Sequence, residues 1–182
     1  MLEDAPAATP LVAPPFQLRP FAGTDAALYA GLFTDPEVMR AVGPPFTADR
    51  AARAAEASLR HQRDAAGRFR HWVIECANES AGLLGLALRG PAWRGGEAEL
   101  GVLLWPAWQA RGAASAAIAA VRPWAFEVAR LDVLTCHHVD PHAGASALMQ
   151  RVGFTRCAAR AEVPLPVGWE CRRRSAASAG IG

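Results

Sequence analysis

A run of small residues connects a predicted strand to a predicted helix, and its composition suits the binding of a phosphate. The run contains Gly112 and carries polar donors on Gln109 and Arg111. Small side chains let a diphosphate approach the backbone, and the unpaired N–H groups at a helix start, with the positive end of its dipole, attract negative charge. Taken alone, the run is equally consistent with an ordinary tight turn at Gly112. The residues predicted to bind the phosphates are Gln109, Ala110, Arg111, Gly112, Ala113, Ala114 and Ser115.

Two carboxylates precede this turn and are candidates for acid–base chemistry. Glu97 and Glu99 are two residues apart in a predicted strand, so their side chains share one face. Two neighbouring carboxylates can shift one pKa toward the range that a general base needs. We predict Glu99 as the general base. The alternative is that one or both glutamates are solvated strand residues.

Three histidines follow close upon one another later in the chain. His137 and His138 are adjacent at the end of a predicted strand, and His142 follows in the next loop. Adjacent strand residues point to opposite faces, which argues against a shared metal ion, and we predict no metal site. A proton relay through His138 or His142 and ordinary structural roles are both left open.

Hydrophobic periodicity and turn residues predict a mixed, mostly antiparallel α/β sheet of about seven strands with helices on both faces. The predicted order is β-α-α-β-β-β-α-β-α-β-β. Residues 69–104 hold three strands with short turns, which indicates an antiparallel meander. Thr47 is predicted to cap a helix that runs to about Ala66. Pro123 falls inside the predicted helix over residues 113–129 and should cost about 3 kcal/mol unless the helix kinks there.

The size of the chain suits one domain with a sizeable core, because it has 182 residues of which 52% are hydrophobic. Four prolines lie in the alanine-rich start, so residues 1–15 are predicted to be a flexible tail. Residues 16–175 are predicted to form the domain, and residues 176–182 a second flexible tail.

The composition of the chain argues against several kinds of catalytic residue and several classes of partner. All 19 basic residues are arginine, which excludes a catalytic or phosphate-loop lysine. The net charge of +2 is too small to indicate a nucleic-acid partner, and no apolar run approaches the roughly 18 residues that span a membrane. The four cysteines form no C-x-x-C pair and fit a reducing compartment. We predict a cytoplasmic protein without nucleic-acid or membrane partners, and a homodimer is left open.

The turn resembles the cofactor motif of the GCN5-related N-acetyltransferases, the GNAT superfamily, which is written Gln/Arg-x-x-Gly-x-Gly/Ala. Residues 106–117 carry the resemblance, with Gln109, Gly112 and Ala114 at the three defined positions. The preceding residues 98–101 resemble the RimJ/RimL-like branch, which holds the ribosomal-protein and related N-terminal acetyltransferases.

A second stretch, residues 139–154, is similar to the family's second signature, a short helix that ends in Gly-Phe. Three of its positions depart from the family pattern. The family often has Asn where His142 stands and Tyr where Met149 stands, and many members of the branch have Ser at Ala145.

The resemblance implies the family's sheet, splayed at its centre, over residues 16–175. It also implies an acyl-CoA-dependent N-acyltransferase that moves an acetyl group from acetyl-CoA to a primary amine by direct attack in a ternary complex. The N–H of Leu104 would stabilise the oxyanion, as part of a backbone segment that pairs with the pantetheine amides like an added strand. The remaining cofactor contacts that the resemblance implies are Val102, Leu103, Leu104, His142, Ala145 and Met149.

The amine acceptor is predicted from what the site lacks. With no lysine in the chain and no tyrosine at Met149, a high-pKa amine is hard to deprotonate. An α-amine has a pKa of about 7.7–8.0 against about 10.4 for a lysine side chain, so a peptide N-terminus is favoured. Residues 40–47 and 161–169 are predicted to wall the substrate groove. The alternatives are a small-molecule or antibiotic N-acetyltransferase and a catalytically idle acyl-CoA-binding module.

Overall fold

The described residues form eight strands in one sheet, in the order β1-β2-β3-β4-β5-β6-β8-β7. They are β1 Leu11–Ala13, β2 Phe16–Pro20, β3 Phe69–Cys76, β4 Glu79–Arg89, β5 Glu97–Leu104, β6 Val133–His138, β7 Thr155–Cys157 and β8 Val167–Arg172. The computed structural model describes residues 6–64, 66–140, 142–158 and 165–174. Neighbouring strands are antiparallel except β5 and β6, which are parallel. The predicted mixed, mostly antiparallel sheet is confirmed, with one strand more than predicted.

Five α-helices lie within the same described ranges: α1 Ala26–Thr34, α2 Pro36–Met39, α3 Ala48–Arg63, α4 Ala113–Pro123 and α5 Ala143–Arg151. The Thr47 hydroxyl accepts a hydrogen bond from Arg50 N at 3.3 Å, which confirms it as the cap of α3. This helix stops short of the predicted Ala66, because Asp64 adopts extended dihedral angles with ψ at 130°.

Alternation of side chains divides the core between the two faces of the sheet. Trp72, Leu84 and Leu134 pack on the face that α4 and α5 cover. Leu83 and Leu103 point the other way and pack against α1 and α3. Helices therefore cover both faces, as predicted.

Residues 6–13, in the described part of the predicted N-terminal tail, differ from a flexible segment. Leu11–Ala13 extends the sheet beside β2, and two buried side chains bind the segment before it. Trp72 Nε1 donates to Thr9 O at 2.8 Å, and Arg70 Nε donates to Pro6 O at 2.7 Å. Buried donors need acceptors, and this segment supplies them. The predicted C-terminal tail, residues 176–182, lies outside the described residues.

The helix after the small-residue turn changes geometry at Pro123, where the sequence requires either a kink or a cost of about 3 kcal/mol. Proline lacks the N–H that an α-helix needs. The α-helix ends there, and Trp124–Val128 continues as a π-helical turn in which Ala129 N donates to Trp124 O at 2.9 Å. Across the described parts of the chain, no helix is both long and apolar enough to cross a membrane.

Candidate functional site

β5 and β6 separate from each other part of the way along the sheet. Their parallel ladder joins residues 97–99 to residues 133–135. Beyond these pairs, residues 100–104 of β5 pair only with β4, and residues 136–138 of β6 pair only with β8, among the described strands. A gap therefore opens between two neighbouring strands, which is the predicted splay.

Two residues of β5 turn their backbone groups into this gap. Trp105 N donates to Ala81 O on the β4 side at 3.0 Å. Backbone groups of alternate strand residues point to opposite sides, so those of Val102 and Leu104 point away from β4. Gln109 Nε2 donates to Leu104 O at 3.2 Å, which agrees with this direction.

Leu103 has the opposite orientation from the one that its predicted cofactor role requires. It is paired with Leu83 in the β4–β5 ladder, and its side chain is buried against α1 and α3. Its backbone groups therefore belong to the sheet rather than to the gap, although the residue borders the cleft described below.

The small-residue turn ends in the start of α4. Gly112 has a φ of 84° and occupies the N-cap position without a capping side chain, and Ala110 also has a positive φ, 59°. The first intrahelical bond joins Ala116 N to Gly112 O at 2.9 Å. The N–H groups of residues 113–115 therefore have no acceptor within the helix. An anion placed over this turn would meet three N–H groups and the positive end of the helix dipole.

A cleft of about 870 Å³ brings these parts together with the start of α5 and with α2. The predicted cofactor residues that line it are Val102, Leu103, Leu104, Gln109, Ala110, Gly112, Ala113, Ala114, Ser115, His142 and Ala145. Two predicted residues lie outside this lining. Arg111 is exposed, with its guanidinium carbon 5.5 Å from the centre of the Trp108 ring. Met149 is buried in the core between α5 and the sheet.

Several lining residues were not predicted. From α2 and the residues after it the cleft gains Glu37 and Val38, beside Arg40, which lies in a predicted groove wall. From α5 it gains Gly144, Ala147, Leu148 and Arg151, together with Ala143 and, before the helix, Val139. The spacing of residues 144, 147, 148 and 151 follows one helix face and could have revealed this side of α5. Residues 161–164 of the second predicted wall lie outside the described residues.

His142 begins α5 as its N-cap. Its Nδ1 accepts a hydrogen bond from Ala145 N at 3.1 Å, so this nitrogen carries no proton. The ring does here what an asparagine side chain does at a helix start.

His138 is held in one tautomer by its neighbours. Trp169 Nε1 can only donate, and it lies 3.0 Å from His138 Nε2, so Nε2 accepts and Nδ1 donates to Val139 O at 2.6 Å. The ring is buried, and protonation of Nε2 would break the bond from Trp169. The structure therefore favours a structural role for His138 over a proton relay.

Glu99 lies on the sheet face opposite to the side chains of Val102 and Leu104, outside the lining of the cleft. Its Oε2 forms an ion pair with Arg89 Nη2, and its Oε1 lies 3.3 Å from His137 Nδ1. The side chain keeps 18% of its surface exposed. The neighbouring Glu97 accepts from Thr135 Oγ1 at 3.4 Å. Glu99 is thus an ion-paired carboxylate and not a solvated strand residue.

The cysteines near the site are poorly suited to nucleophilic chemistry. Burial raises the pKa of the Cys136 thiol to about 12, so it stays protonated at neutral pH. Burial also raises the pKa of Cys171, against a smaller opposing effect of Arg122.

The fold is similar to solved acetyltransferase structures. An acetyltransferase from Agrobacterium tumefaciens str. C58 shares 25% sequence identity with a TM-score of 0.77, and the match covers 92% of this chain and 96% of that chain. RimJ of Mycobacterium smegmatis, solved in complex with CoA-disulfide, shares 19% identity with a TM-score of 0.73, covering 94% and 90% of the two chains. A Salmonella typhimurium acetyl transferase that modifies the N-terminal serine of 50S ribosomal subunit protein L7/L12 shares 18% identity with a TM-score of 0.70, covering 94% and 100%. A comparison with curated proteins finds no match.

The sequence also matches the family model of the acetyltransferase (GNAT) domain over residues 16–155. That range holds the gap between β5 and β6, the turn at Gly112 and helix α5. The match and the fold together identify an N-acetyltransferase, and the chain belongs to the GNAT family of acetyltransferases.

Proposed function

We propose that the protein transfers an acetyl group from acetyl-CoA to the α-amine of a peptide or protein N-terminus, by direct attack within a ternary complex. One observation carries the proposal. The cleft joins an uncapped helix start, which suits a diphosphate, to backbone groups exposed in the gap between β5 and β6, which suit an amide-bearing chain. Family membership and the CoA complex of RimJ support acetyl-CoA as the donor.

The residues at the turn fit the cofactor's phosphates. In the positive-φ conformation of Gly112, a Cβ atom would meet no described atom within 4 Å, so open space lies over the turn. The N–H groups of residues 113–115 would bind the diphosphate, and Val102 and Leu104 would pair with the pantetheine amides. Ala145 and His142 line the same cleft from α5.

The chain's own residues would contribute orientation, a donor and a base. Acetyl-CoA would supply the acetyl group as a thioester. The amine nitrogen would form the new C–N bond as the C–S bond breaks, and CoA would leave as a thiolate that takes up the second N–H proton of the amine. The N–H of Leu104 points into the gap and is the donor for negative charge that develops on the acetyl oxygen. Holding amine and thioester together supplies several kcal/mol of the rate enhancement. Glu99 is the carboxylate that takes the proton from the amine.

The preference for an α-amine follows from the cost of deprotonation. Lowering the pKa of a lysine-type amine from about 10.4 to 7 requires roughly 4.6 kcal/mol, whereas an α-amine needs about 1 kcal/mol. The described lining of the cleft contains one carboxylate, Glu37, beside Arg40 and Arg151. With two arginines beside a single carboxylate, this lining suits the anionic cofactor. The Salmonella typhimurium protein's action on an N-terminal serine agrees in substrate class.

A competition assay tests the proposal. One peptide with a free α-amine and an internal lysine is incubated with enzyme and acetyl-CoA at pH 7, and mass spectrometry locates the acetyl group. We expect at least about ten-fold more label on the α-amine, since the difference in deprotonation cost exceeds 1.4 kcal/mol. The same peptide with a blocked N-terminus is the control. Label mainly on the lysine contradicts the α-amine preference, and CoA binding without turnover on any amine indicates an idle binding module.

A further inference from the structure

Three charged or titratable side chains form a row across β4, β5 and β6 on the face that carries Leu103. They are Arg89, Glu99 and His137. Residues 97 and 99 of β5 are paired with 89 and 87 of β4, and residue 99 is paired with Thr135 of β6. Arg89 and His137 are therefore diagonal neighbours of Glu99, one on each side, and side chains at such positions can reach each other.

Both oxygens of the Glu99 carboxylate are engaged. Oε2 is ion-paired with Arg89, and Oε1 lies 3.3 Å from His137 Nδ1. An ionised carboxylate can only accept, so His137 Nδ1 carries a proton and donates it. The side chains are 52% exposed for Arg89, 18% for Glu99 and 1% for His137. Of the two groups that could take a proton here, the carboxylate is the one that solvent or a substrate reaches.

The row lies where the sheet divides. Glu99 is the last residue of β5 that is paired with β6, so its carboxylate lies at the closed end of the gap. The next residue on the same face is Gly101, which is exposed, and a Cβ atom there would meet none of the described atoms within 4 Å. Gly101 is two residues from Glu99 on the same strand, so this open space lies beside the position of Glu99 on that face.

We propose that Arg89 and His137 are positioning residues, which hold the Glu99 carboxylate ionised and fixed at the closed end of the gap. The inference rests on the proposed function, in which Glu99 removes the proton of the acceptor. The acceptor enters as an ammonium over Gly101, and one N–H proton passes to Glu99, which leaves the nitrogen lone pair free for attack. The proton then leaves to solvent. Arg89 favours the charged carboxylate, and the His137 contact fixes its rotation.

Other charged groups on this face also contribute to the electrostatic environment of Glu99. Glu97 lies on the same strand, and Glu170 and Arg172 lie on β8 and are ion-paired with each other at 2.9 Å. The test therefore replaces one charge at a time. Arg172→Gln removes an equal charge from the same face at a position two strands away from β5, and it is the matched control.

The first measurement needs no acceptor. The carboxyl carbons of glutamate are labelled with ¹³C, Glu99 is assigned through Glu99→Gln, and its titration is followed by NMR. In Arg89→Gln the midpoint should move upward by about one pH unit, the low end of the range for an adjacent guanidinium, because Arg89 is half exposed. Arg89→Lys should restore most of the shift, and Arg172→Gln should leave the midpoint unchanged.

The second measurement is the pH profile of kcat/KM with acetyl-CoA and a peptide carrying a free α-amine. Arg89→Gln should move the acid limb upward by the same unit, without a change in KM for acetyl-CoA. His137→Leu should lower kcat about ten-fold. His137→Asn, whose amide can donate from near the Nδ1 position, should recover most of it. Thermal unfolding of each variant identifies losses that come from misfolding.

The outcomes separate this inference from the proposed function. If the Glu99 midpoint and the acid limb stay in place in Arg89→Gln, and His137→Asn is no better than His137→Leu, the positioning roles are wrong. If the NMR midpoint moves as expected but no peptide is acetylated, the effect of Arg89 on Glu99 is supported and the proposed function is wrong.

Discussion

Gly112 is the residue on which the candidate phosphate site depends most, because its positive φ and missing side chain leave the start of α4 open. A glutamate there would place a carboxylate against the expected diphosphate and over the first N–H groups of the helix. We expect Gly112→Glu to weaken CoA binding at least about 30-fold, on the order of 2 kcal/mol, through like-charge repulsion and loss of the anion site. Isothermal titration calorimetry measures the affinity.

Gly90 provides a matched control for the same substitution. Its φ is 115°, and a Cβ atom there also meets no described atom within 4 Å, so Gly90→Glu adds the same charge and a comparable backbone strain. It lies in the turn after β4, outside the lining of the cleft. CoA affinity should be kept in Gly90→Glu. An equal loss in both variants would mean that strain, and not position, weakens binding.

Single residues could be predicted where local chemistry decides their role. Gly112 is an example, because the small-residue turn before a helix already indicates a close backbone approach. Met149 and Leu103 could not be predicted in this way, because tertiary packing sets the rotation of α5 and the face of β5. The contact between Glu99 and His137 depends on the β5–β6 register, which the sequence does not reveal.

At the scale of elements, the start of α5 links helix capping to the cleft. His142 caps the helix through Ala145 N, and both residues line the cleft. Removing the cap in His142→Ala should cost about 1 kcal/mol of stability and let the first turn fray. We therefore expect CoA affinity to fall about three- to ten-fold in His142→Ala, on the scale of about 1 kcal/mol, and to be largely retained in His142→Asn. Thermal unfolding and calorimetry measure the two effects.

Thr47→Ala is the control for the loss of a cap elsewhere. It removes the cap of α3, whose first residues lie outside the lining of the cleft. Stability should fall by a similar amount with no change in CoA affinity. If His142→Ala lowers stability alone, the cap has no influence on the cofactor site.

The elements themselves were largely predictable, because periodicity, caps and turns are local signals. The meander of β3, β4 and β5 is confirmed by its register, and Thr47 by its hydrogen bond. The short strand β1 was missed, because its place is fixed by buried donors more than 60 residues away, such as Trp72. The proline-rich composition predicts a flexible segment, but it does not reveal the distant side chains that hold this segment in place.

At the scale of the whole molecule, the two hydrophobic cores on opposite faces of the sheet support different parts of the site. One core holds α4 and α5, and with them the turn and the cap that face the cleft. The other holds α1, α3 and the residue Leu103 at the edge of the gap. Because β5 contributes to both cores, the position of its backbone in the gap depends on the packing of both faces. Global stability is therefore a condition for the site's geometry.

His71 makes this global stability sensitive to acid. Its ring lies 6.0 Å from the centre of Phe21 and 5.9 Å from that of Tyr29. Burial, and to a smaller extent the neighbouring His61, lowers the pKa of His71 from 6.5 to about 4. Between pH 6.5 and about pH 4, this histidine is protonated in the unfolded chain but neutral in the native protein. The contribution of His71 to the free energy of unfolding is therefore fully present above pH 6.5. It is lost between pH 6.5 and 4, and the loss is at most about 3 kcal/mol.

Replacing His71 with phenylalanine should remove this dependence. His71→Phe keeps an aromatic ring between Phe21 and Tyr29 and carries no titratable group, and it also removes a buried Nδ1 that has no hydrogen-bond partner among the described residues. Urea unfolding at pH 7 and pH 4.5 gives the free energy of unfolding of each protein. Between these pH values the parent should lose about 2 kcal/mol more than the variant, since the unfolded histidine is charged and the native one is neutral. The carboxylates, among them the ion-paired Asp25, titrate in both proteins and cancel in the comparison. Equal losses in the two proteins would show that the native fold accepts the proton on His71 without cost.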